Sequence, residues 1–80
     1  MRMKRKLVHF ESKPNQSFFA VMKNTGKNTL LGIVEFIPKW KIAIFQPTKE
    51  MFTVGALIEV CEFMVELEQE RTNQKLISDI

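Results

Sequence analysis

Apolar side chains come in short runs through the first fifty residues and in one long, differently spaced series after Thr53. Lys6 to Glu11 contains a short strand, closed by the loop-forming cluster Lys13-Pro14-Asn15-Gln16. Ser17 to Lys23 reads as a second strand, and Asn24-Thr25-Gly26-Lys27-Asn28 as the turn after it, with a glycine free to take positive φ. Thr29 to Ile37 is a third strand. Pro38-Lys39 reads as the corner of a tight turn, since proline presets φ at the second turn position. Trp40 to Gln46 is then the fourth strand, which Pro47 stops. Connections this short favour antiparallel hairpins.

The period changes after Met51. Gly55, Glu59, Glu62, Glu66, Gln69 and Glu70 recur at steps of three and four, which places them on one stripe of a helix. Thr53 suits its N-cap, because the hydroxyl can accept a bond from an amide of the first turn. The remaining positions (Val54, Leu57, Ile58, Val60, Cys61, Phe63, Met64, Val65, Leu67) form an apolar surface wider than one packed face requires. The expected architecture is α+β, a four-stranded antiparallel meander with one C-terminal helix packed on one face. Within one domain over 1–80, a basic flexible start (1–5) precedes the meander (6–46), the helix (53–71) and a polar tail (72–80).

One helix covers one sheet face, yet two strands are apolar on both. Phe18, Ala20 and Met22 oppose Phe19 and Val21; Trp40, Ile42 and Ile44 oppose Ala43 and Phe45. Each large apolar side chain contributes about 1.5–3 kcal/mol on burial, so an open face predicts an interface. A homodimer is the simplest cover. A dimer or partner surface is expected around Phe19, Val21, Phe45, Val60 and Phe63.

Composition sharpens this in two ways. Residues 1–52 carry ten Lys and Arg against three Glu, whereas residues 53–80 carry two against six acids. Opposed charge on one small domain suits an anionic partner at one end, or a second copy. The chain has no apolar run long enough for a membrane helix, and its basic start lacks the apolar core of an export signal. With a single Cys61 as well, a cytoplasmic setting is expected.

The run Gly32-x-Val34-x-Phe36-x-x-x-Trp40-Lys41-x-Ala43-x-Phe45-x-Pro47, followed by a helix bearing Glu62-Phe63 and Leu67, resembles a group of short bacteriophage and prophage proteins. These carry a Gly, alternating apolar and aromatic residues, Trp followed by Arg or Lys, then an aromatic, a Phe and a Pro. The likeness covers residues 30–68. It implies a phage genome, a bacterial host cytoplasm and an accessory role; the group has no agreed biochemical activity. Phe36 stands where the group favours Trp, and Ala43 where it favours Tyr, which puts in doubt any function resting on those polar aromatic tips.

Lys39, Trp40 and Lys41 are the leading candidate surface. A Trp beside cations can stack on a base or anchor a protein contact; alternatively it packs at the sheet edge while the lysines stay solvated. Arg5 and Lys6, with Arg2 and Lys4, can meet phosphates, or form a soluble terminus. The stripe Glu59, Glu62, Glu66, Glu70 reads as a solvated helix face, or as a dock for a basic partner. His9 and Cys61 read as structural. No nucleophile set, phosphate loop, zinc-ligand spacing or paired-carboxylate motif is visible, so neither an enzyme, a metal nor a cofactor is expected. The expected function is binding of a host protein, as inhibitor or modulator of a defence or replication factor. A nucleic-acid-binding module is the alternative, and a sponge for a charged nucleotide signal a third option.

Overall fold

The computed structural model describes residues 3–24, 29–48 and 52–78, with side chains to residue 72 in the last stretch. The turn expected at residues 24–28 lies outside the described residues apart from Asn24, as do Met1 and Arg2 of the basic start and Asp79-Ile80 of the tail. Alternating apolar residues build four strands, β1 (Val8–Glu11), β2 (Phe18–Lys23), β3 (Leu30–Ile37) and β4 (Ile42–Pro47). They pair antiparallel in the order β1-β2-β3-β4, and a single helix α1 (Val54–Ser78) packs on the sheet: an α+β meander. Thr53 caps α1, its Oγ1 accepting from the Ala56 amide at 3.1 Å. The helix runs on through Ser78, into the stretch expected as a polar tail.

Inward residues of all four strands meet one stripe of α1. Val8, Phe10, Phe19, Val21, Leu31, Val34 and Ala43 are buried against Ala56, Val60, Phe63 and Leu67. The Phe63 ring stacks on Phe10 at 3.8 Å between centroids and meets Phe19 edge-on at 5.2 Å. Pairing shifts between Val21 and Met22, which sit opposite Gly32 and Leu30, so Leu31 is an extra residue on β3 and turns into the core. Gly32 is required by close approach: a Cβ there would lie 2.6 Å from the Gln46 carbonyl oxygen and 2.7 Å from the Phe45 ring.

This core corrects the expected interface. Phe19, Val21, Val60 and Phe63 are buried within the chain, and Phe45 packs against the same cluster beside Phe52. Both sides of these elements are apolar, and the pattern does not say which side the helix takes. The outward sheet face carries Phe18, Ala20, Met22, Ile33, Ile37 and Ile44, all half-buried, with Glu35 paired between Phe18 and Ile44.

Both sheet edges are blunted. The Glu59 carboxylate accepts from the Leu7 and Val8 amides at 2.9 and 3.1 Å. Residues 3–5 fold back beside β1, with the Phe10 amide donating to the Met3 carbonyl at 2.7 Å. On the other edge the Glu68 carboxylate accepts from the Ala43 amide at 2.7 Å, and Pro47 has no amide to offer.

Candidate functional site

The hairpin between β3 and β4 closes through four residues, Pro38 to Lys41, since Ile37 pairs with Ile42. The Trp40 and Lys41 amides both donate to the Ile37 carbonyl, at 3.2 and 2.8 Å. Lys41 ends the turn with φ of 58°, in the left-handed region, at a steric cost of about 1–2 kcal/mol for a residue with a Cβ. Trp40 therefore belongs to the turn and not to the start of β4, and its side chain is 64% exposed. Lys39 and Lys41 flank it and are exposed too.

The turn reaches α1 near its C-terminal half. Phe36, Pro38 and Lys41 line a cleft of about 240 Å³ with Arg71 and Thr72. Arg71 and Lys41 thus line one cleft beside the turn that carries Trp40. Sequence reasoning misses this placement because Arg71 belongs to the acidic half of the chain. Counting helix turns from the Thr53 cap against the β3–β4 register could have found it.

Arg5 and Lys6 are not part of this cluster. The Arg5 guanidinium lies on α1 between two carboxylates, with Nη2 donating to Glu66 at 2.5 Å and Nη1 at 3.6 Å from Glu62. The Arg5 side chain is only 10% exposed, so it is committed inside the fold, while Lys6 beside it is exposed. The acidic stripe is likewise no uniformly solvated face: Glu59 and Glu66 are half-buried, turned to β1 and Arg5. The basic partner of that stripe is the chain's own N-terminal segment. His9 bridges Asn24 and Glu11, each at 2.7 Å, on the sheet's outward face. Cys61 is exposed on the outward side of α1, so the two share no site. Among the described residues no three His, Cys, Asp or Glu side chains come together to hold a metal ion.

A second concavity, of about 540 Å³, runs along the outward side of α1. Val54, Leu57, Ile58, Cys61 and Val65 form it, with Arg5, Glu62 and Glu66 along one rim. No protein-family model matches the chain, and no curated protein or solved structure is significantly similar to it. Among the described residues, no helix is long and apolar enough to cross a membrane.

Proposed function

We propose that this chain is a small non-enzymatic binding protein of phage type, and that the turn Pro38–Lys41 is its recognition element. Its partner is a host protein, a defence or replication factor that it inhibits or redirects. The observation that carries this reading is Trp40, 64% exposed in a turn between two exposed lysines. Leaving so large an aromatic in water forgoes the stabilisation its burial brings, which a small domain can least spare. A single exposed Trp flanked by two lysines suits a slot in an acidic protein surface, the pattern of an interface anchor.

Single-stranded nucleic acid is the second reading, favoured by Lys39 and Lys41 on either side of the indole and by Arg71, which shares a cleft with Lys41. Such binders usually present several stacking aromatics along a basic groove, and this turn exposes one.

Trp40 is the only tryptophan, so its fluorescence reports this surface alone. Tagged chain should capture a discrete host protein that survives nuclease treatment. The captured protein should shift Trp40 emission to shorter wavelength, and Trp40→Ala should lose the capture while changing stability by no more than about 0.5 kcal/mol. Material that disappears with nuclease and binds with a steep salt dependence hands the function to the nucleic-acid reading. Capture that Trp40→Ala leaves intact removes the turn from either account.

A further inference from the structure

The cleft of about 240 Å³ where the β3–β4 turn meets α1 is lined by two unlike sets of residues. Phe36 and Pro38 supply an apolar wall, while Lys41, Arg71 and Thr72 bring two cations and a hydroxyl. The turn and the helix each contribute one cation, so only the fold assembles the pair.

Both cations are available. Among the described residues neither Lys41 nor Arg71 forms an ion pair, whereas Arg5 takes Glu62 and Glu66. The acid one turn back along α1, Glu68, is engaged elsewhere: its carboxylate accepts from the Ala43 amide at 2.7 Å, and it does not line the cleft. Two like charges lining one cleft repel each other until an anion joins them.

The backbone of Lys41 points the same way. Its φ of 58° is one that glycine would adopt without steric cost. A residue with a Cβ, held in a costly conformation at a cleft with no ion pair to offset it, has the character of a ligand clamp.

The charge selects the ligand. A carboxylate would leave one of the two cations unmatched. A phosphoryl group on a monoester carries about −1.5 to −2 near neutral pH and offers three acceptor oxygens. Lysine meets such a group as a point charge, arginine through its planar fork and threonine through its hydroxyl. The wall of Phe36 and Pro38 suits an apolar or aromatic body on the ester oxygen.

We propose that this cleft binds a small phosphomonoester, with Lys41, Arg71 and Thr72 on the phosphoryl oxygens and Phe36 and Pro38 against the organic part. The site shares Pro38 and Lys41 with the Trp40 turn but does not rest on the host-protein reading. Host capture can fail while the phosphomonoester binds, and the reverse.

Phenyl phosphate added to the isotope-labelled full chain should shift the amide signals of Lys41 and Thr72 and saturate with a Kd of about 1 mM. Inorganic phosphate, without the organic part, should bind about threefold more weakly, and benzoate, with one charge, about tenfold more weakly. Arg71→Met and, independently, Lys41→Gly should each weaken phenyl phosphate about tenfold and leave the circular dichroism intact. Lys41→Gly also suits the positive φ, so its loss of binding would not reflect a damaged turn. No saturable shift up to about 10 mM phenyl phosphate overturns the proposal. So do shifts centred on the exposed Lys4 and Lys6 instead, benzoate binding as tightly as phenyl phosphate, or binding that both substitutions leave intact.

Discussion

Ala56, Val60, Phe63 and Leu67 descend one side of α1 and are buried, while Val54, Leu57, Ile58 and Val65 descend the other and remain between 40% and 73% exposed. The two stripes are comparably apolar, so hydrophobicity alone does not choose which one faces the sheet. Two other things do. Phe63 fits between the rings of Phe10 and Phe19, which no residue of the outer stripe could replace. The flanking carboxylates reach their partners only at this roll of the helix: Glu59 meets the Leu7 and Val8 amides, Glu66 meets Arg5, and Glu68 meets the Ala43 amide. Rolling the outer stripe inward would strip both sheet edges of their acceptors. The Phe63 stack and these polar contacts, about 1 kcal/mol each, thus fix the roll together.

The sharpest way to break this comparison is to truncate one residue on each side. Phe63→Ala should cost about 3–5 kcal/mol, because its fully buried ring leaves a cavity between two phenylalanines. That is much of the stability of a domain this small, and Phe63→Leu should give a smaller loss on a chain that still folds. Ile58→Ala should stay within about 0.5 kcal/mol. Urea midpoints that rank the pair the other way would mean that the outer stripe is the packed one.

The inner face also depends on how closely β4 lies on β3. Gly32→Ala should destabilise by about 1–3 kcal/mol, since the new methyl meets the Gln46 carbonyl oxygen at 2.6 Å and the Phe45 ring at 2.7 Å. Adding Phe45→Leu should recover part of that loss by opening the space above Gly32. A double-mutant cycle with no coupling would place the strain elsewhere.

The meander and its strand order were legible because alternation and short turns leave little choice of partner. The roll of α1 was not, since both of its sides read as apolar and the partners of Glu59 and Glu66 lie more than fifty residues away. Trp40 was misplaced into β4 because the turn is completed by Lys41 at positive φ, where local propensity expects glycine or asparagine. Lys39, Trp40 and Lys41 are adjacent in the sequence, but only the fold puts all three in one exposed turn. The Phe45 ring lies directly over Gly32, which gives the glycine on β3 and the aromatic on β4 a structural reason to occur together.

Arg5 tests whether the carboxylate row holds the helix roll. Arg5→Met keeps the packed stem and removes the charge, leaving Glu62 and Glu66 without it. Those carboxylates are 57% and 40% exposed and can return to water, so the loss should be about 1 kcal/mol, far below that of a sealed ion pair. The difference from the parent should shrink in about 1 M salt, where screening is short-ranged. A loss that ignores salt would assign the role of Arg5 to packing alone.

Gly55 offers the smallest and most local test, because it sits where the outer stripe gives way to the acidic row. It occupies the first turn of α1, where glycine is a poor helix former, worth up to about 1 kcal/mol less than alanine in a helix interior. A Cβ there would meet only the Leu7 Cδ1 atom, at 2.8 Å. Leu7 is 40% exposed, so its tip can rotate away, unlike the carbonyl that confronts Gly32. Gly55→Ala should therefore stabilise the chain, by about 0.5 kcal/mol once the first-turn position and the leucine's adjustment are counted. A urea midpoint shifted down instead of up would mean that Leu7 is locked against the helix. The packed face would then extend past the acidic row, and the line between the two stripes would have to be redrawn at Gly55.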